Sequence, residues 1–159
     1  MVVNLKKLVK VATPAAIAVL RQATAIAPKR NKVSDGLLPS AAHIKQNPNS
    51  DHNTGLAADL THDPHHGIDC GDIYEKLKND KRVDYLIFNG RIWSKERGDR
   101  NYTGPNKHVK HLHISIKEQF AKDTSPWFPW LKQPTAINKA KAALQKKAKK
   151  KEVPSPKEA

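Results

Sequence analysis

Six residues, HLHISI at 111–116, restrict this chain more than any other stretch. Side chains of a strand alternate between faces, so Leu112, Ile114 and Ile116 share one face and His111, His113 and Ser115 the other. Three aliphatics at period two make the first face a core face. The fold must therefore present two imidazoles on the side of a sheet that points away from its aliphatic core.

A second stretch supplies partners for them. In NSDHNTGLAADLTHD, residues 49–63, the segment LAADL alternates again, with Leu56, Ala58 and Leu60 on one face and Ala57, Asp59 and Thr61 on the other. If this strand pairs with HLHISI, Asp59 meets the histidine face. His52 lies seven residues before Asp59, and a turn at Gly55 can return the chain so that both reach one point. Small Ala57 and Ala58 leave room around the carboxylate. Two neutral imidazoles and a carboxylate form a good ligand set for zinc, with bonds of about 2.0–2.2 Å and a fourth position open for water. Such an ion lowers the pKa of water towards ~7 and polarises a bound carbonyl. His111, two residues from His113, is then placed to take or give a proton, and His108 is a second candidate, for contacting a developing oxyanion.

Around these strands the pattern predicts a small antiparallel sheet of about four strands with helices on one side, an α+β domain. An apolar spacing at Ile17, Leu20, Ala23, Thr24 and Ala27, opened by Pro14, predicts a helix over about 14–27. A short basic helix is expected at 4–11. The N-terminal basic and apolar residues mimic a secretory signal, but Pro14 and Arg21-Gln22 interrupt it, so a helix of the mature domain is expected instead. A loop rich in Asn, Ser, Gly and Pro follows to Gly55. DCGDIYEKLKNDKR predicts a helix of two to three turns, with Asp72 early and Lys-Arg late. VDYLIFNGRIWSK is a hairpin turned by Asn89-Gly90. ERGDRNYTGPNKH is expected to be an exposed loop. Trp127, Phe128 and Trp130 in SPWFPW are expected to cap the core rather than bind sugar.

The chain has 159 residues and a net charge of +14, half of it between 131 and 159, where nine Lys face two Glu. It therefore divides into a domain over 1–130 and a basic tail, partly helical or disordered, over 131–159. The charge favours polyanionic surroundings. A single cysteine, Cys70, excludes an intramolecular disulfide framework and a four-cysteine zinc site. Cys70 is expected as a small buried hydrophobe. His62, His65 and His66, beside the Asp63-Pro64 turn signal, are expected in a loop without a ligand role. No apolar run approaches the ~20 residues of a membrane span.

Ser50, His52, Gly55, Ala57 and Asp59, followed by His108, His111 and His113, resemble the motifs of the zinc peptidoglycan peptidases of the VanY-type D-alanyl-D-alanine carboxypeptidase group, which includes many phage endolysins. The resemblance spans roughly 14–130. It implies a hedgehog/D-Ala-D-Ala metallopeptidase-like fold, with His52, Asp59 and His113 as zinc ligands and His111 with His108 as the catalytic pair. Ser50 would hold the loop or a ligand. Many members carry an acid three residues before the last ligand, where this chain has Lys110, so proton transfer would fall to His111. The resemblance implies hydrolysis of an amide in the stem or cross-bridge peptide by a monomeric lysis enzyme, made in a host cytoplasm and acting at the cell wall. Endopeptidase and carboxypeptidase action both stay open. Arg100, Tyr102 and Lys107 are candidates for holding a substrate carboxylate, and the tail for meeting anionic envelope polymers.

Two other functions compete. A metal-dependent nuclease would suit the charge, but no short pattern links His52 to a helix-borne His or Asn, and no specific nucleic acid partner is expected. A non-catalytic wall-binding module could keep zinc for folding alone, although structural zinc sites normally use four protein ligands.

Overall fold

The computed structural model describes residues 11–39 and 49–131. Among these the chain forms two α-helices and one antiparallel sheet of five strands. The proposed helix at 4–11 and the basic tail beyond Leu131 lie outside the described residues.

Helix α1, Pro14–Ile26, begins where Thr13 Oγ1 accepts the Ala16 amide and Pro14 occupies the first turn. It buries Ala15, Ala16, Ala18, Val19 and Ala23, small side chains that let the helix approach the sheet closely. Helix α2, Cys70–Leu77, is capped by Asp69, whose carboxylate accepts the amides of Gly71 and Asp72. Its eight residues make just over two turns, within the two to three expected. Asn79 and Asp80 turn the chain back through bonds to the Lys76 and Leu77 carbonyls, and the Asp80 carbonyl then accepts the Val83 amide.

The strands are β1 (Ala57–Thr61), β2 (Val83–Phe88), β3 (Arg91–Ser94), β4 (Gly98–Asn101) and β5 (His111–Ile116), ordered β1-β5-β2-β3-β4 across the sheet. The sequence had suggested about four strands and an exposed loop over 96–108. Residues 98–101 instead form an edge strand on β3. Their sequence, GDRN, carries no apolar alternation, because an edge strand is held by backbone bonds and is kept polar.

Both helices pack on the aliphatic face of the sheet. Ala58, Leu60, Leu86, Leu112, Ile114 and Ile116 join Val19, Ile73 and Leu77 in one core. Each Leu or Ile taken fully out of water there contributes about 1.5–3 kcal/mol. Trp127 and Phe128 close this core as expected, Trp127 Nε1 donating to the Ala15 carbonyl at 3.1 Å. Arg82 ties that segment down. It is buried, bonds Asp80 and the carbonyls of Ser125 and Pro126, and stacks 3.6 Å above the Trp127 ring. Cys70 is buried and free, as expected.

The opposite face carries the polar residues. The β1–β5 register sets Asp59 opposite His113 and Ala57 opposite Ser115. On the other side of β5, Tyr85 of β2 is opposite Ser115 and Ile87 opposite His113. A register shift between Val83 and Tyr85 lets Val83 face the core beside Ile116 while Tyr85 joins the polar face.

Candidate metal centre

Three separate pieces of chain meet at Asp59. His52 sits in a short 3₁₀ turn, Asp51–Thr54, whose start is capped by Ser50 Oγ accepting the His52 amide at 3.2 Å. Gly55 ends the turn in the left-handed conformation, φ 72° and ψ 14°, and hands the chain to β1. Asp59 comes from β1 and His113 from β5. The third piece is a strap over Arg30–Leu37 along the free edge of β1. Gly36 exchanges backbone bonds with Asp59 at 3.1 and 2.8 Å. The strap is held by buried Arg30, which binds Asp35 at 2.6 Å, and by Asp35 accepting from Thr61 Oγ1 at 2.7 Å.

Asp59 Oδ1 lies 3.2 Å from His52 Nε2 and 3.1 Å from His113 Nδ1. Two ligands bonded at about 2.0–2.1 Å to a tetrahedral ion stand roughly 3.3 Å apart. The observed spacings therefore match an ion shared by the three side chains, whose ligand atoms all lie within 4.8 Å of one another. His52, Asp59 and His113 can hold a metal ion.

The far nitrogens sharpen this. His52 Nδ1 lies 2.9 Å from the Leu37 carbonyl, which can only accept, so Nδ1 carries the proton. In the neutral ring a bare Nε2 then faces the carboxylate. His113 Nε2 lies 2.8 Å from Ser115 Oγ, leaving Nδ1 towards Asp59. Lone pairs opposed at these distances repel unless a cation, proton or metal, sits between them.

The electrostatics agree. Burial alone would raise the Asp59 pKa, but the hydrogen bonds and charges of His113 and His52 hold it well below the usual carboxylate range. Burial alone would lower that of His52, yet the hydrogen bond and charge of Asp59 bring it above the ordinary value. The pocket thus favours positive charge between fixed ligands.

The other predicted residues fall around this point. His111 shares the face, its Nε2 3.6 Å from Asp59 Oδ2, too far for a hydrogen bond. Burial, helped by the charges of His113 and His52, lowers its pKa despite Asp59. His108 packs edge-on to His111, with ring centres 4.9 Å apart, and to Tyr102 at 5.6 Å. Its backbone is left-handed, φ 57°. That conformation is held because the Asn89 amide donates to the His108 carbonyl, the Gly90 amide donates to the Lys107 carbonyl, and Asn106 Oδ1 accepts the His108 amide. His108 Nδ1 lies 2.7 Å from the Asn106 carbonyl and so is protonated. Burial, then His113 and His111, push its pKa down to about 4, so the ring is neutral. A neutral ring held this way offers Nε2 as an acceptor and cannot donate to an oxyanion.

Comparison with models of known families, with curated proteins and with solved structures finds no match for this chain.

Arg100 is on the same sheet face as His113, three strands away, with Nη1 donating to the Gly98 carbonyl. Lys107 folds back to the Tyr102 carbonyl. His62, His65 and His66 stand apart from the triad. His62 accepts the Cys70 amide, and His66 pairs with Asp63. Sequence reasoning missed the Leu37 carbonyl and Gly36, because a loop backbone that buttresses a side chain leaves no composition signal. It gave Ser115 the correct face but no partner. It missed Tyr85 because plain alternation puts Tyr85 with Val83, and only the register shift separates them.

Proposed function

We propose that this chain is a zinc-dependent peptidase that hydrolyses an amide of the peptidoglycan stem or cross-bridge, acting as a lysis enzyme of the VanY-type peptidase group. The observation that carries the proposal is the convergence of His52 Nε2, Asp59 Oδ1 and His113 Nδ1, each imidazole held by its other nitrogen. Zinc is favoured because two imidazoles and one carboxylate, with no thiolate, form an open three-residue site of the kind that metallopeptidases use. A zinc ion there would polarise the scissile carbonyl and acidify an attacking water.

The chain's own groups would do the rest. His111 Nε2 takes a proton from the attacking water as the carbon–oxygen bond forms. The same nitrogen returns it to the amine as the carbon–nitrogen bond breaks. Burial, with His113 and His52, disfavours the His111 cation, and His108 packs edge-on against the ring. Tyr102, edge-on to His108, borders the site. Arg100, three strands away on the same sheet face, is suited to a more distant part of an acidic stem peptide, and the basic tail to anionic wall polymers.

Purified protein in a cell-wall zymogram tests this. Clearing is expected, lost on chelation and restored by zinc; clearing that survives complete metal removal refutes the mechanism. His111→Ala separates catalysis from a structural zinc role. The peptidase predicts that zinc is retained and clearing is lost, whereas a wall-binding module predicts neither variant nor wild type releases fragments.

A further inference from the structure

We propose that the Ser115 hydroxyl, backed by Tyr85, is the positioning group that makes His113 coordinate through Nδ1. This rests on the metal site proposed above and adds a role for two residues that would touch neither metal nor substrate.

An imidazole on a strand can rotate about its Cβ–Cγ bond and offer either nitrogen to a metal. Which nitrogen it offers is decided by what the other one bonds. Here the choice is made within one strand. His113 and Ser115 are two residues apart on the same face of β5, and His113 Nε2 lies 2.8 Å from Ser115 Oγ. Ser115 is fully buried and His113 is 5% exposed, so water does not substitute for that bond. A neutral ring with Nδ1 bare carries its proton on Nε2, and Ser115 Oγ is the acceptor in reach.

The ring is also fixed from its sides. Tyr85 stacks on it with centres 5.5 Å apart and planes 24° apart, while His52 meets it edge-on at 5.0 Å. Tyr85 is directly opposite Ser115 in the β2–β5 ladder. The serine hydroxyl can accept the proton of His113 Nε2. The register shift before Tyr85 is what places the phenol there; without it Tyr85 would share the face of Val83. A local irregularity of β2 thereby orients a side chain of β5.

The test uses the full chain stripped of metal and titrated with Zn²⁺ against a chromogenic chelator. Ser115→Ala should weaken zinc affinity by about 10–100-fold, as loss of a group supporting a ligating histidine does. Ser115→Thr keeps the hydroxyl and should restore most of that loss. Tyr85→Phe, which keeps the stack, should show a smaller drop. Long-range ¹H–¹⁵N spectra of the zinc-loaded wild type should place the His113 ring proton on Nε2, a readout that a purely space-filling serine would not control. Equal zinc affinity in wild type and Ser115→Ala overturns the inference and leaves the metal site standing. A wild type that binds no zinc overturns both. Should Ser115→Ala fail to fold, the wild-type spectrum decides, because a ring proton on Nδ1 excludes the proposed role.

Discussion

Gly55 allows the link between local backbone and metal site to be measured. Its φ of 72° is a region that L side chains avoid, and a methyl added there would stand 3.0 Å from Ala12 Cα and 3.1 Å from both Thr13 N and the Val11 carbonyl oxygen. All three are backbone atoms, held because the Gly55 carbonyl accepts Thr13 N at 3.0 Å and Thr13 Oγ1 at 2.7 Å. Gly55→Ala therefore incurs two penalties. The left-handed conformation costs about 1–2 kcal/mol. Pushing apart a packed junction costs about 1–3 kcal/mol more. Gly90 isolates the first penalty, since its φ is 79° and nothing lies within 4 Å of an added methyl. At roughly 3 °C per kcal/mol for a chain of this size, Gly90→Ala should lower the melting temperature by about 3–6 °C and Gly55→Ala by about 6–15 °C. Thermal unfolding of the metal-free variants by circular dichroism measures both. Because Gly55 ends the turn that carries His52, its substitution should also weaken zinc binding, while Gly90→Ala should leave it intact. Equal destabilisation by the two substitutions would show that the contact with the start of α1 is not the constraint inferred here.

Asp59→Asn keeps the shape of the side chain but removes the anion between two imidazoles, and should lower zinc affinity by more than ~100-fold, beyond what outer groups contribute; stoichiometric zinc in the purified variant, measured by elemental analysis, would contradict this. Arg82→Ala strands Asp80 and two carbonyls and uncovers Trp127, so about 3–5 kcal/mol of stability should be lost in urea unfolding with zinc affinity unchanged. Burial pushes the Cys70 thiol up to about 12, and its sulfur donates to the Leu60 carbonyl. The thiolate forms only as pH rises towards that value, so alkylation at pH 8 should fail on the native protein and proceed after unfolding. Rapid native labelling would mean that the α2–sheet junction opens.

Much of the site was legible because it sits on alternating strands. In HLHISI and LAADL, period two separates ligands from core and puts Asp59 on the histidine face if the strands pair. That they do pair, with Asp59 opposite His113, is set by the tertiary structure. The loops were less legible. His52 could be tied to Asp59 by spacing, but the Leu37 carbonyl that sets its tautomer belongs to a strap held by Arg30 and Asp35, and no pattern connects those residues to a metal site. The edge strand β4 was unreadable for a related reason, since backbone bonds hold it and its side chains only need to stay polar.

In β1 and β5 the amino-acid order alone determined which residues face the core and which face the site, because an unbroken pleat leaves no freedom in that choice. Tertiary structure alone decided which nitrogen of each histidine points inward, that His108 is neutral and accepting, and that Tyr85 stands behind His113. Those outcomes depend on hydrogen-bond partners and on one shift of register, and both are set by segments distant along the chain that become neighbours only on folding.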